Sequence, residues 1–362
     1  MVDIINSSYE EFMQNILDKK LFLYGAGERT RTVYNYFCLR DKVEAIIDKN
    51  DKIKKFNGDN EEIPVITLEQ FEQKADIVKS IILIIPTYVY SEIVEELDMH
   101  SKLDGLKCYI ASLVQDYYEK QKFIFTQGVG QIPKKIHYCW FGRGEMSDQL
   151  KRCMESWNKF CPDYEILRWD ENNYDVCSNQ YMKEAYECKK WGYVPDYARL
   201  DIIYNEGGIY LDTDVELLAP IDVLLNDEMF CHFSSRFEVN FGSGFGAIKN
   251  HRLIKALRDY YKGHTFYNSD GTINTKPCAE YQNPVLEEFG FKLDNRYQKI
   301  EKVVIYPSEV STPQGRSGIA KNFTSQTLMI HHAAATHRSV REKNIFLHRS
   351  EIENRIKGYE KR

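Results

Sequence analysis

The sequence predicts an α/β protein, and three observations carry that expectation. Short apolar runs alternate with helix-like stretches through the first hundred residues, the pattern of a parallel sheet covered by helices. A Gly128-Val129-Gly130 break then separates this segment from a second that opens on a new apolar run, IPKKIHYCWFG. At 362 residues the chain is long enough for two domains that each bury a core, and its 43% hydrophobic and 28% charged residues are a globular composition. We place a Rossmann-like domain over 1–125, a larger α/β domain over 131–340 and a basic amphipathic helix over 341–362.

The elements follow in order. LFLYGAG is a strand running into a glycine turn, a helix is expected over Thr30–Leu39, and VEAIID is a second strand ending at Asp48. Residues 63–66, a helix near 67–75, the strand SIILIIP and a helix over 88–98 continue the alternation, and a further helix is expected within 112–131. The turn Gly25-Ala26-Gly27-Glu28-Arg29-Thr30 has two glycines of a dinucleotide fingerprint and Thr30 at the third. Asp48 stands about 20 residues on, where a ribose-binding acid belongs. A bound nucleotide and a tight turn that binds nothing, or docks a partner protein, both fit this pattern. At the other end, Ile345, Ile352, Ile356 and Tyr359 share one helical face among lysines and arginines. Such a helix either packs on its own domain or makes peripheral contact with an anionic membrane.

Composition removes several function classes. A formal net charge of −6 offers no broad attraction for nucleic acid. Nine cysteines without a CxxC pair fit a reducing compartment. The first residues lack the basic start and apolar run of a secretory signal, and Ile81–Pro86, the longest apolar run, is too short to span a bilayer. The expected location is cytoplasmic, with the inner face of the membrane open to it.

The local signal that points to chemistry is GGIYLDTDVELLAP, from Gly207 to Pro220. Ile209, Tyr210 and Leu211 read as a strand, after which Asp212 and Asp214 are expected to share one face of an extended chain. Two crowded carboxylates call for a cation, and a hard divalent ion takes oxygen ligands while keeping positions for phosphate oxygens. Acidic triplets in turns are also commonly just solvated. Upstream, Asp196 and Arg199 follow Pro195 on one face of an expected helix with Leu200, Ile203 and Tyr204 toward the core. That pair is read either as a local ion pair on a capped helix or as a grip on sugar hydroxyls and phosphates. His331, His332 and His337 sit in seven residues beside the apolar run LMI, a spacing that suits metal or phosphate binding as well as structural roles.

Taken together, IPKKIHYCWFG, SWNKFCPDYEILRWD, PDYARLDIIYNEGGIYLDTD and HHAAATH resemble glycosyltransferase family 32 and the catalytic domain of the large clostridial glucosylating toxins. The resemblance covers about residues 131–340. It implies a GT-A type α/β domain, Mn2+ or Mg2+, a nucleotide-sugar donor (UDP-sugars first) and retention of the donor's anomeric configuration. It implies a glycan or lipid-linked glycan acceptor in surface polysaccharide synthesis, with toxin-like transfer to protein as an alternative. By position, Trp140 resembles the base-stacking aromatic, Asp196 and Arg199 the donor-sugar pair, Asp212 the contact to ribose, sugar and metal, and Asp214 the direct metal ligand. One of the matching histidines is a candidate third metal ligand or phosphate contact, with His331 assigned to the metal and His332 to the donor, and which of the two reaches the metal is left open. Thr275-Lys276-Pro277 resembles a family Thr-Gly-Pro, and Thr336-His337 replaces the usual Ser-Trp.

A competing class is an NAD-linked nucleotide-sugar oxidoreductase. It would use the Gly25 turn together with Tyr186 and Lys190, which have the YxxxK spacing of short-chain dehydrogenases.

Overall fold

Runs such as Leu21–Tyr24 and Ile81–Ile84 are buried on both faces, as strands of a parallel sheet covered on each side must be. The computed structural model describes residues 1–5, 7–58, 61–85, 90–116, 123–235, 238–274, 276–312 and 323–332. It divides into a unit spanning Met1–Glu119 and a unit beginning at Lys120.

The first unit contains, in order, β1 (Asp3–Ile4), α1 (Tyr9–Asn15), β2 (Lys20–Tyr24), α2 (Glu28–Tyr36), β3 (Val43–Ile47), β4 (Lys55–Asn57), β5 (Glu62–Ile66), α3 (Leu68–Lys74), β6 (Ser80–Ile84), α4 (Tyr90–Asp98), β7 (Lys107–Ile110) and α5 (Ala111–Asp116). The sheet order is β1-β7-β6-β2-β3-β5-β4, parallel except for the β4–β5 hairpin. Local chemistry sets the helix starts. Ser8 with Glu11, and Thr67 with Gln70, form reciprocal capping boxes at α1 and α3.

Three expectations change here. Helix α2 ends at Tyr36, because Cys38 takes a left-handed φ of 50°, and β4 was not anticipated. Helix α5 falls where a helix was expected within 112–131; residues 117–122 lie outside the described residues, and 123–130 are not helical. The glycine turn is also braced from within. Buried Thr30, at the third-glycine position, donates from Oγ1 to the Gly25 carbonyl at 2.6 Å. Asp48 Oδ2 accepts the Ala26 N–H at 2.6 Å. The acid expected near a ribose therefore lies against the glycine turn itself.

The second unit contains β8 (Lys135–Cys139), α6 (Asp148–Phe160), β9 (Glu165–Trp169), α7 (Gln180–Glu187), α8 (Pro195–Glu206), β10 (Gly208–Tyr210), β11 (Val215–Leu217), β12 (Met229–Ser235), β13 (Glu238–Val239), β14 (Phe245–Ala247), α9 (Arg252–Tyr260), α10 (Cys278–Glu288), β15 (Gln298–Ile300), β16 (Val303–Tyr306) and β17 (Met329–His331). Its mixed sheet runs β15-β16-β12-β14-β10-β8-β9, with β13 beside β12, and β11 and β17 form a separate pair. Strands β8, β9 and β10 are parallel, so Cys139, Trp169 and Tyr210 end at one edge. Along β10 the side chains alternate: Ile209 and Leu211 enter one apolar cluster, Tyr210 the other.

The Gly207-Gly208 pair is required where α8 turns into β10. Their φ values are 68° and 107°, and a Cβ would lie 2.8 Å from the Lys249 amide at Gly207 and 2.9 Å from the Lys135 carbonyl at Gly208. Buried His137 fastens the same corner. Its Nδ1 accepts from the Trp169 indole at 3.0 Å, so Nε2 carries the proton and donates to the Gly207 carbonyl at 2.9 Å. Burial pushes its pKa down to about 4, and it stays neutral.

Tyr186 and Lys190 do not share a helix face. Helix α7 ends at Glu187 and Lys189 is left-handed at φ 56°, which removes the geometry the oxidoreductase reading needs. No helix among the described residues is long and apolar enough to cross a membrane. The expected helix over 341–362 lies outside the described residues, as do Thr275, Thr336 and His337.

Candidate active site

At the carboxyl end of β10 the chain does not stay extended, contrary to the expectation that alternation would align the acids. Asp212 and Asp214 lie in a turn closed by the Val215 N–H on the Asp212 carbonyl at 3.0 Å. Asp212 is held from two sides. The Tyr210 hydroxyl donates to its Oδ1 at 3.0 Å, and its own amide donates to the Gly242 carbonyl at 3.3 Å.

Asp214 is positioned by the strand that starts after it. Strand β11 pairs antiparallel with β17 in the register Val215↔His331, which delivers His331 to the turn across more than a hundred residues of sequence. His331 Nε2 lies 3.3 Å from Asp214 Oδ1. One ligand atom each from Asp212, Asp214 and His331 fall within 4.8 Å of one another, the one such group of three among the described residues. Two carboxylate oxygens and an imidazole nitrogen suit Mn2+ or Mg2+ and leave positions for phosphate oxygens. Burial works against a charged His331, but Asp214 outweighs it and raises the imidazole pKa. His332 turns away: its Nε2 meets Glu216 Oε2 at 2.8 Å, so that ring is already engaged.

Helix α8 supplies the second half of the site. Pro195 occupies its first turn and Asp196 follows, both buried. Arg199 Nη2 donates to Asp196 Oδ1 at 2.8 Å and lies 3.7 Å from Asp212 Oδ1, while Nε donates to the Pro195 carbonyl at 3.0 Å. Nη1, on a side chain 3% exposed, has no hydrogen-bond partner among the described residues. A buried guanidinium N–H without an acceptor is costly, and its place beside Asp212 marks where a ligand oxygen fits.

Trp140 follows β8, the strand next to β10, at the same sheet edge. Its indole N–H donates to the Gly144 carbonyl at 2.7 Å, so the ring face is what remains for a base. The edge itself, at the carboxyl ends of parallel strands, is where open α/β sheets receive ligands.

Several positioning residues escaped the sequence reading. Ser156 Oγ accepts the Leu217 N–H at 2.8 Å and the fully buried Trp157 donates its indole N–H to the Val215 carbonyl at 2.7 Å, so α6 clamps β11 directly behind Asp214. Emptying a buried Trp site costs about 3–5 kcal/mol, and here the loss would also free the strand that aims Asp214. Gly242 lies against Asp212 and Arg199, and the signal for it was the glycine-rich run Asn240–Gly244.

Asp196 gives this site a pH signature. Burial raises its pKa most, Arg199 opposes, and Asp212 raises it further, to about 7. An unfolded Asp titrates near ~3.9, so the folded chain holds the extra proton between the two values. Stability from this group is therefore full below about pH 4 and is lost as pH rises through 7. We expect the urea midpoint of the chain, in chelator, to fall less between pH 5 and 8 in Asp196→Asn than in wild type. Parallel pH dependences would show that Asp196 does not titrate there.

An acidic and imidazole cluster lies beside a buried arginine at the ligand-receiving edge of an α/β sheet, the arrangement of a metal-using enzyme site. Comparison with known proteins is more particular: residues 147–231 match the family model for the glycosyltransferase sugar-binding region containing the DXD motif. That stretch is thus similar to a glycosyltransferase sugar-binding region, and Asp212-Thr213-Asp214 is the DxD triplet that lies within it. Among curated relatives, it is 30% identical over 130 residues to Subversion of eukaryotic traffic protein A of Legionella pneumophila, 28% of this chain and 19% of that one. It is also 30% identical over 121 residues to Inositol phosphoceramide mannosyltransferase 3 of Schizosaccharomyces pombe, 31% of this chain and 32% of that one. The chain spans less than a third of the length of these relatives. Among solved structures, the PaToxG glycosyltransferase aligns at 18% identity and TM-score 0.36, covering 44% of this chain and 69% of its own.

Proposed function

We propose that the chain is a metal-dependent, retaining glycosyltransferase of GT-A type that takes its sugar from a nucleotide-sugar donor, UDP-sugars before GDP-mannose. Its acceptor is a glycan or lipid-linked glycan in bacterial surface polysaccharide synthesis, at the cytoplasmic face of the membrane. The observation that carries this reading is the convergence of Asp212, Asp214 and His331 within 4.8 Å, next to an Arg199 whose Nη1 lacks an acceptor. The toxin-like features around Trp140 and Asp196 favour UDP, and the fungal relative, a mannosyltransferase by name, supports mannose as the second sugar.

In this reading each side chain has a task. Trp140 offers its ring face to the base, and Asp196 and Arg199 hold and orient the sugar. A divalent cation held by Asp212, Asp214 and His331 would supply Lewis-acid stabilisation to the departing diphosphate. Arg199, already within 3.7 Å of Asp212, adds fixed positive charge on the same side. In a retaining transfer the acceptor hydroxyl approaches on the face of the leaving phosphate, which itself takes the proton, so no further carboxylate base is required. Residues 1–125 serve to dock the transferase to an assembly partner, consistent with the acid that lies against its glycine turn.

A donor-hydrolysis screen across nucleotide sugars, with Mn2+ and with chelator, tests the reading. Hydrolysis of one or a few donors that stops on chelation is expected; no metal-dependent hydrolysis or binding with any donor would sink it. The Legionella relative, named for subverting eukaryotic traffic, favours a second reading of the acceptor, a protein. Incubating labelled donor with glycan and with protein acceptors separates the two.

A further inference from the structure

The run Asn240–Gly244 has no charged group and lies outside the motifs that pointed to chemistry, yet it touches both halves of the site. Its middle, Phe241–Ser243, is a single helical turn that Asn240 closes. The side-chain Oδ1 accepts the Gly242 N–H at 2.7 Å, while the Asn240 carbonyl accepts the Ser243 amide at 3.1 Å and the Ser243 hydroxyl at 2.6 Å. Two other elements hold the turn from outside. The Cys278 thiol, at the start of α10, donates to the same Asn240 oxygen at 3.4 Å. Buried His232 of β12 donates from Nδ1 to the Gly244 carbonyl at 2.9 Å.

What this turn supports is Asp212. The Gly242 carbonyl accepts the Asp212 amide at 3.3 Å. Asp212 Oδ1 is engaged by the Tyr210 hydroxyl, so the setting of the carboxylate depends on what Oδ2 meets, and it meets Gly242. A Cβ at that glycine would lie 2.3 Å from Oδ2 and 2.7 Å from Arg199 Nη1, so its backbone is packed directly against both groups. Two side chains of the site rest on one backbone position, and Asn240 fixes that position. A buried N–H stripped of its acceptor is costly and shifts toward another partner. A turn of this length has no ladder of its own to resist the shift.

We propose that Asn240 is a positioning residue for the acid–arginine pair: through Gly242 it sets the angle at which the Asp212 carboxylate meets the divalent cation, and its spacing from Arg199. The proposal rests on the metal reading given above and adds to it a residue that acts on the cation through Asp212.

Mn2+ binding to the full chain, followed by the electron spin resonance of the free ion, reads this without turnover. Asn240→Ala should weaken Mn2+ binding about 10-fold and lower kcat/KM by about 10- to 100-fold, with the thermal midpoint little changed. Asn240→Ser, whose neutral hydroxyl is again an acceptor for the Gly242 N–H, should recover most of both. Wild-type Mn2+ binding in Asn240→Ala overturns the proposal. So does a loss that Asn240→Ser shares in full, or one that only follows a fall in the thermal midpoint. Should Asn240→Ala not fold, Asn240→Gly removes the same acceptor at a smaller cost to the turn, and wild-type Mn2+ binding in it overturns the proposal equally. A wild-type chain that binds no Mn2+, or whose binding survives Asp214→Asn unchanged, removes the metal reading and this one together. A metal-binding wild type beside an unaltered Asn240 variant removes this one alone.

Discussion

Asp214→Asn is expected to abolish metal-dependent turnover, a loss on the order of a thousandfold or more, while the chain stays folded. The substitution keeps the shape of the side chain and removes the charge. Asp214 is the acid nearest His331, at 3.3 Å, and with Asp212 it completes the one group of three ligand atoms among the described residues. A carboxamide oxygen is a poor replacement for a carboxylate on a hard cation, and the remaining pair offers too few ligands to fix a diphosphate. The fold does not rest on this charge alone, because β11 is also held by its ladder to β17 and by Ser156 and Trp157. The measurement is donor hydrolysis against Mn2+ concentration, with circular dichroism and a thermal midpoint as controls. Activity within about threefold of wild type, with the same Mn2+ dependence, would remove Asp214 from the metal.

The second large effect comes from a residue without a side chain. Gly242→Ala is expected to lower kcat/KM about 100-fold, the scale of loss when catalytic groups are displaced by an ångström. The new methyl would lie 2.3 Å from Asp212 Oδ2 and 2.7 Å from Arg199 Nη1, distances that force both side chains aside. Neither has spare room: Asp212 is tied to Tyr210, and Arg199 is buried between Pro195 and Asp196. The clashing atoms are side-chain ends rather than backbone, and Gly242 is not among the positive-φ glycines, so stability should fall far less than activity. Steady-state kinetics with a parallel thermal melt checks this. A variant that melts early and loses activity in proportion would mean that Gly242 matters to the fold and not to the geometry of the acid–arginine pair.

Much of the frame is legible in local sequence. Period-two and apolar patterning marks β2, β3, β6 and β8 within a residue or two, and Pro195 and Gly207 bracket α8. Thr67 with Gln70 announces α3. What failed was local overextension at helix ends: α2 stops at Tyr36 because Cys38 turns left-handed. Those ends are set by what the chain must pack against, which no window of sequence contains.

The site divides in the same way. The sequence by itself determined the chemistry: two acids after an apolar strand, an acid and an arginine three apart on a helix, and a Gly-Gly pair whose positive φ values no other residue would accept. Only the tertiary structure decided how they meet. The acids converge through a turn rather than along an extended strand, and the β11–β17 register selects His331 and sends His332 to Glu216. Tertiary packing also brings Gly242 against Asp212 and Arg199, from a loop some thirty residues or more along the chain. Residue type fixes what a group can bind, and it is legible one position at a time. Which groups share a few ångströms depends on pairings across a hundred residues, and those are settled only when the sheet and its covering helices close.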